Sequence, residues 1–164
     1  MTREPKWITR VMALVFHERL IALFGGAPGL IDEGRLDAAL ASPKNQFHYA
    51  STRPDVFRLA AAYAYALTRD HPFVDGNKRM ALVVCGVFLE LNGFRLEAPE
   101  DEAYRATEAL ASRELEEEEF ANWLRDSSKK VPRTKSTVPR SRKGRAGRTS
   151  SKTSPTKKRA RKKR

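Results

Sequence analysis

Apolar residues recur every three or four positions through most of residues 7–124, and strict alternation of apolar and polar residues is almost absent. This spacing is typical of helices that bury one face, so the sequence predicts an all-α domain. We expect a compact bundle of about six helices, at residues 7–24, 32–40, 56–69 and 76–91, from Pro99 onward, and at 114–124.

Local signals predict where several of these helices begin and end. Asp32 is a suitable N-cap for the second helix, and Ser42-Pro43 is expected to stop it because proline cannot donate a backbone hydrogen bond. Residues 44–54 show no clear periodicity, which predicts an exposed loop. Pro54 then suits the first position of the third helix.

The fourth predicted helix, residues 76–91, is apolar on nearly every face. Such a helix is expected to be buried on all sides, so we expect it to form the centre of the core. Asn92-Gly93 is a strong stop signal at its end, and residues 94–97 are expected to be extended.

Charge divides the 164 residues into two parts. Seventeen of the 32 Lys and Arg residues lie in residues 129–164, which contain no Asp or Glu, so residues 1–128 hold 15 basic and 20 acidic side chains and a net charge of −5. After Ser127 the large apolar residues are limited to Val131 and Val138, too few to offset the chain entropy lost on folding. The sequence predicts a folded domain at residues 1–127 and a disordered basic tail at 128–164.

Cysteine content and hydropathy exclude several classes of protein. Cys85 is the one cysteine, so neither an internal disulfide nor a cysteine-rich metal site is available, and its apolar surroundings predict a small buried side chain. The N-terminal residues lack the apolar core of a secretory signal, and no run approaches the roughly 18 apolar residues of a membrane span. We expect a soluble, intracellular protein.

The most informative stretch is residues 71–79, which read His-Pro-Phe-Val-Asp-Gly-Asn-Lys-Arg. It leads directly into the apolar helix, whose free N–H groups and dipole favour an anion at this point. Lys78 and Arg79 add positive charge, and the guanidinium fork suits phosphate oxygens. The sequence predicts a phosphate-binding site here.

The other residues of this stretch have candidate roles of their own. His71 is either structural or a general base for a hydroxyl, held by Pro72 and by the expected insertion of Phe73 into the core. Asp75 has two open interpretations, which are compatible: N-cap of the helix, or a Mg²⁺ ligand together with phosphate oxygens. Gly76 lets a phosphate approach the backbone, and Asn77 offers an amide donor.

The ordered set resembles the signature of the Fic/Doc superfamily, His-x-Phe-x-(Asp/Glu)-(Gly/Ala)-Asn-(Gly/Lys)-Arg. Lys78 stands where adenylylating Fic enzymes usually carry Gly, which makes the stretch similar to the Doc, or death-on-curing, toxin branch. Residues 24–29, 32–40 and 88–93 are also similar to Doc sequences. The likeness covers about residues 12–124 and does not include the basic tail.

The resemblance implies a helical bundle with the motif at the start of its central helix. It implies transfer of part of a nucleoside triphosphate, ATP or another, to a protein hydroxyl, with His71 as the base, Asp75 holding Mg²⁺, and Asn77, Lys78 and Arg79 at the phosphates. It also implies that residues 44–49 form a flap that aligns the target peptide beside the site. The positioning residues of that flap are then Lys44, Asn45, Gln46 and Phe47, whereas His48 is interpreted as a surface residue.

Three functional hypotheses follow. The first is a Doc-type toxin that phosphorylates a Ser or Thr hydroxyl of a protein target, which the resemblance implies is a translation elongation factor. Phosphorylation is favoured because Lys78 and Leu82 replace the Gly and the second Arg of adenylylating enzymes. The second is a nucleotidyltransferase that attaches AMP. The third is an inactive domain whose tail binds nucleic acid through non-specific phosphate contacts.

Partners and location follow from the same resemblance. The inhibitory pattern Ser/Thr-x-x-x-Glu-Gly/Asn of many Fic proteins is absent, because Glu33 is the one Glu followed by Gly or Asn and Gly29 lies four residues before it. We therefore expect inhibition by a separate small antitoxin protein. The expected location is the bacterial cytoplasm, with association to the nucleoid or ribosome through the tail and no membrane contact.

Overall fold

A computed structural model of the chain describes residues 4–132; the predicted disorder beyond that point lies outside the described residues. The described part is all-α, as predicted, with one small antiparallel sheet. Its helices are α1 (Arg10–Phe24), α2 (Glu33–Tyr49), α3 (Val56–Asp70), α4 (Asn77–Leu91), α5 (Glu100–Ser112) and α6 (Glu117–Asp126), and its strands are β1 (Phe94–Leu96) and β2 (Ser128–Lys130). Within residues 4–132, every helix is too short or too polar to cross a bilayer.

The centre of the bundle is α3 rather than α4, so the expectation for the core helix is wrong. Ten of the fifteen residues of α3 are buried, and the helix packs against α2, α4, α5 and α6. Five of those ten are alanines, and small side chains let neighbouring helices approach from every side. In α4 the residues on the outer face are only half-buried, although Cys85 is fully buried and burial raises the pKa of its thiol.

The second helix continues past the point where it was predicted to end. Pro43 lies inside α2, and the helix reaches Tyr49, so the predicted exposed loop is wrong for residues 44–49. Burial against α3 offsets the hydrogen bond that Pro43 cannot donate, because an apolar stripe at helical spacing runs through the whole element. That stripe consists of Leu36, Ala39, Leu40, Pro43 and Phe47.

Side-chain caps explain where the first three helices begin. Thr9 accepts a hydrogen bond from the Met12 N–H at the start of α1, and Asp32 caps α2 as predicted. Asp55 caps α3, so Pro54 precedes the cap instead of occupying the first helical position. Each cap oxygen accepts from a backbone N–H that has no partner inside its own helix.

The small sheet brings part of the predicted tail into the fold. Phe94 of β1 pairs with Lys130 of β2, and Leu96 pairs with Ser128. The extended segment predicted after Asn92-Gly93 is therefore confirmed, and the domain boundary predicted after residue 127 falls too early. Backbone pairing with β1 explains how a polar strand without large apolar residues joins the domain.

The pH dependence of stability gives a test of the α3 cap. Partial burial of Asp55 opposes ionisation, but the backbone N–H of Arg58 and the guanidinium of Arg125 outweigh it and lower the pKa of this carboxyl below 3.8. The unfolded chain therefore binds this proton more readily. The stabilisation is full above pH 3.8 and is lost as the pH falls through the folded-state pKa.

We expect Asp55→Asn, which keeps the cap acceptor but not the charge, to lower the free energy of unfolding by about 0.5–1 kcal/mol at pH 7. Urea unfolding at pH 7 and pH 2.5 measures the difference, which is expected to shrink at the lower pH. Asp101→Asn is the control, because its ion pair with Arg105 is fully at the surface of one helix. An equal difference between Asp55→Asn and the wild type at both pH values would contradict the prediction.

Candidate active site

The start of α4 leaves backbone donors free at the motif. Gly76 is the N-cap, at φ +80°, and no side chain caps the helix. The first backbone hydrogen bond of the helix runs from the Met80 N–H to the Gly76 carbonyl, 2.8 Å. Within the described residues, the N–H groups of Asn77, Lys78 and Arg79 therefore have no backbone acceptor. These free N–H groups are compatible with the predicted phosphate site, which stays a prediction, whereas the interpretation of Asp75 as N-cap is wrong.

Asn77 stabilises the motif loop through both ends of its side-chain amide. Its Oδ1 accepts from the Phe73 N–H at 3.0 Å, and its Nδ2 donates to the Phe73 carbonyl at 2.8 Å. Asn77 is buried, and Phe73 is 1% exposed, so the predicted insertion of Phe73 into the core is confirmed. The Asn77 side-chain amide is thus used in hydrogen bonds within the loop, and the backbone N–H is the Asn77 group that has no backbone acceptor.

A segment missed at the sequence level lies directly against the motif. Residues 25–31 run antiparallel to the loop, with the Ile31 N–H donating to the Pro72 carbonyl at 2.7 Å and the Val74 N–H to the Gly29 carbonyl at 3.0 Å. Gly26 and Gly29 both adopt φ +120°, a conformation that favours glycine. The signal for this segment was the run Gly-Gly-Ala-Pro-Gly itself, which marks a specific turn.

The Asp75 carboxylate is exposed and sits between the motif and residues 25–31. Its Oδ1 accepts from the Gly76 N–H at 2.6 Å, and its Oδ2 accepts from the Ala27 N–H at 3.4 Å. A Cβ on Gly26 would lie 2.6 Å from that Oδ2, so only glycine lets the two segments approach so closely. The Asp75 carbonyl accepts from His17 of α1, a residue that sequence reasoning did not single out.

His71 ends α3 in the left-handed conformation, with φ 46° and ψ 60°. This region is sparsely populated by residues other than glycine, although histidine is among those that tolerate it. The side chain is exposed, and its ring makes no hydrogen bond to any of residues 4–132. The imidazole is therefore free to accept a proton from a group that approaches from solvent.

The two cations of the motif have different neighbours. Lys78 Nζ lies 2.7 Å from Glu108 Oε2 of α5, so its charge is partly neutralised in this structure. Arg79 Nη1 donates to the Gly25 carbonyl at 3.2 Å, and its guanidinium lies over the Phe24 ring at 5.8 Å. Arg79 thus belongs to the same face as residues 25–31, whereas Lys78 lies on the α5 side.

The predicted flap residues are far from the motif. Lys44, Asn45, Gln46 and Phe47 lie in the last turns of α2, whereas the start of α2 is the end joined to the motif loop. At a rise of 1.5 Å per residue, positions 44–47 are about 17–21 Å beyond Glu33 along the helix. Phe47 packs edge-on against Trp7, and Gln46 donates to Glu117. The assignment of the flap to these residues is therefore wrong.

The chain belongs to the Fic/DOC family, whose profile matches residues 7–89. The resemblance predicted from the motif is confirmed, including its Doc branch. The chain is 41% identical over 78 residues to the Toxin Doc of Mycolicibacterium smegmatis, a match that covers 48% of this chain and 60% of that protein. It is 35% identical over 88 residues to the Protein kinase doc of Escherichia phage P1, covering 53% and 69% of the two chains. The match therefore spans about three fifths of the first relative and two thirds of the second.

The paired hydrogen bonds of Asn77 give a test of how the loop is held. Asn77→Ala leaves the buried N–H and carbonyl of Phe73 without partners, so we expect the free energy of unfolding to fall by about 2–4 kcal/mol. Thermal or urea unfolding measures this. Asn45→Ala, at an exposed position of α2, is the matched control and is expected to change it by less than about 0.5 kcal/mol. Equal stability of the two variants would show that the amide does not support the loop.

Proposed function

We propose that this protein is a Doc-type toxin that transfers the γ-phosphoryl group of ATP, or of another nucleoside triphosphate, to a Ser or Thr hydroxyl of a target protein. The proposed target is a translation elongation factor. The observation that carries the proposal is the uncapped start of α4, where free N–H groups adjoin the exposed His71 and Asp75. Such a start favours phosphate, because the N–H groups and the helix dipole both face the anion. The names of the relatives, a toxin and a protein kinase, support the same activity.

The residues present fit a magnesium–nucleotide complex. Mg²⁺ in such sites takes one or two carboxylates and completes its shell with phosphate oxygens and water. Asp75 offers one exposed carboxylate, and no cluster of three metal-ligating side chains occurs within the described part of the chain. A metal that arrives with the nucleotide suits this arrangement better than a resident metal. When bound, it would neutralise phosphate charge during transfer.

The residues of the chain would divide the chemistry between them. The N–H groups at the start of α4 would hold phosphate oxygens, and Gly76 would let them reach the backbone. Arg79 would add charge on the side of residues 25–31, and Lys78 would exchange Glu108 for a phosphate oxygen. His71 would accept the proton of the target hydroxyl as that oxygen attacks the γ-phosphorus, and the bond from this phosphorus to the β–γ bridging oxygen would break and release the nucleoside diphosphate. Positioning and charge neutralisation supply most of the catalysis in reactions of this kind.

Nucleotidyl transfer is the alternative activity for the same site. The two reactions differ in which phosphorus atom faces the target hydroxyl, and the motif residues alone suit both. Lys78 in place of Gly and Leu82 in place of a second Arg favour the kinase, as does the name of the phage relative.

The decisive experiment follows label from ATP into protein. Purified protein, Mg²⁺ and a bacterial lysate are incubated with γ-labelled or α-labelled ATP, and we expect protein labelling from the γ-phosphate alone. His71→Ala is expected to reduce labelling by about 10²-fold or more, because it removes the base. His48→Ala, an exposed histidine on α2 far from the motif, is the matched control and is expected to label normally.

Each other result has a defined meaning. Label from α-ATP alone would establish nucleotidyl transfer and contradict the kinase. Labelling that survives His71→Ala would contradict the role of His71. The absence of label from both γ-labelled and α-labelled ATP would contradict an ATP-dependent transfer and favour the inactive domain.

We also propose a small antitoxin protein as partner. One relative is named a toxin, and the sequence lacks the inhibitory pattern that would allow the domain to inhibit itself. Inhibition would then require a separate protein that covers the motif or residues 25–31.

The basic tail is proposed to bind nucleic acid without sequence preference, which would keep the enzyme in the cytoplasm near the nucleoid or ribosome. Residues 133–164 carry 15 of the Lys and Arg residues, no acid and no aromatic side chain. Phosphate contacts therefore supply the attraction, and base stacking does not.

A truncation after Pro132 tests this proposal, since β2 ends at Lys130 and the described fold stays whole. We expect the full chain to bind a DNA duplex and an RNA hairpin and to lose about 10³-fold or more in affinity between 50 and 200 mM salt. The truncated chain is expected to lose this binding and to retain label transfer. Equal binding by the two chains would contradict the role of the tail.

A further inference from the structure

His17 is a buried histidine that the proposed reaction does not use. It lies on the inner face of α1 and is 5% exposed. Its ring stacks on Phe73, with the ring centroids 4.0 Å apart and the planes 11° from parallel. Its Nε2 lies 2.9 Å from the Asp75 carbonyl oxygen. A carbonyl oxygen can only accept, so Nε2 carries the proton and donates it in this hydrogen bond.

This hydrogen bond acts on the peptide unit that joins Asp75 to Gly76. His17 holds the carbonyl end of that unit, and the N–H end points to Asp75 Oδ1 at 2.6 Å. Gly76 follows at φ +80°, where the lack of a Cβ removes the steric penalty that would otherwise select a conformation. Gly76 can therefore accept either orientation of this peptide plane without a steric penalty. Hydrogen bonds at the two ends of the unit therefore select its orientation, one with Asp75 Oδ1 inside the loop and one with His17 outside it.

The surroundings on α1 support a positioning role. Ile21 lies one turn after His17, and its Cδ1 would be 3.7 Å from a Cβ on Gly76 and 3.0 Å from one on Gly26. The inner face of α1 is thus packed beneath both glycines that flank the Asp75 carboxylate. His17 supplies the polar contact on this face, and Ile21 supplies the apolar one.

We infer that His17 is a positioning residue for the proposed phosphoryl transfer. By holding the Asp75–Gly76 peptide in one orientation, it keeps the Asp75 carboxylate and the free N–H groups of α4 directed at the same phosphate. It acts through Asp75 and does not itself meet the nucleotide, because its ring is covered by Phe73 and α1. The inference rests on the proposed function, since it concerns the metal and phosphate groups of that same site.

Two variants separate the hydrogen bond from the stacking. His17→Phe keeps a flat ring against Phe73 and removes the donor, whereas His17→Gln restores an N–H near the position of Nε2. Thr107→Val is the matched control, because Thr107 is also a buried donor to a backbone carbonyl, that of Ala103 on α5, and this hydrogen bond involves no motif residue. Thermal unfolding of all three variants confirms that each is folded before the other measurements.

Two readouts are taken from the same preparations. The first is the Mg²⁺ concentration at half-maximal label transfer, which we expect His17→Phe to raise at least about tenfold and His17→Gln to return to within about threefold of the wild type. The second is the position of the Gly76 amide signal in a ¹H–¹⁵N correlation spectrum recorded without nucleotide or metal. We expect it to move in His17→Phe and to return in His17→Gln, with Thr107→Val unchanged in both readouts.

The outcomes distinguish this inference from the proposed function. A wild-type Mg²⁺ requirement and an unmoved Gly76 amide in His17→Phe would overturn it. Equal impairment of His17→Phe and His17→Gln would also overturn it, because packing and not the hydrogen bond would then matter. If the wild-type protein transfers no label, the proposed function fails. The Gly76 amide then decides whether His17 holds the peptide: movement in His17→Phe with recovery in His17→Gln supports it, and no movement overturns it.

Discussion

The insertion of Phe73 into the core is the contact on which the motif loop depends. A loop that presents polar groups to solvent needs a buried anchor on its other side, and this side chain is 1% exposed. The backbone of the same residue must also be satisfied once it is buried. The Asn77 side chain forms hydrogen bonds with both the N–H and the carbonyl of Phe73, so the first residue of α4 closes the loop. The anchor and the start of α4 are thereby one unit.

This arrangement leaves several chemical groups of the motif exposed. The pairing of residues 25–31 with the loop uses the backbone of residues 72 and 74, and Asn77 uses that of Phe73. The His71 ring and the Asp75 carboxylate remain exposed, and the N–H groups of Asn77, Lys78 and Arg79 have no backbone acceptor. The charge of the domain does not determine the character of the site, because residues 1–128 are net acidic. The uncapped helix start and the cations Lys78 and Arg79 favour an anion at this point of an acidic domain.

Predictions based on short-range signals were confirmed where a local hydrogen bond decides the structure. Asp32 caps α2 and Asn92-Gly93 ends α4, because each such signal acts within a few residues. One local signal was wrong, because Gly76 and not Asp75 is the N-cap of α4. Other predictions failed where burial decided the result. Pro43 was expected to end α2, but the apolar stripe that contains it is buried against α3 and outweighs one lost hydrogen bond. The alanine-rich α3 became the central helix because small residues allow close packing, a property that a hydrophobicity pattern does not measure.

The candidate site shows the same division. The order of residue types from His71 to Arg79 was enough to predict the family and the anchor at Phe73, because these residues adjoin one another in the chain. The sequence did not reveal that the Asn77 amide forms hydrogen bonds within the loop or that Lys78 pairs with Glu108. It also did not reveal that His17 forms a hydrogen bond with Asp75, 58 residues away in the chain. The sequence by itself determined which chemical groups the motif contains. Only the tertiary structure decided which of them stay free, because packing between distant segments determines which groups find partners.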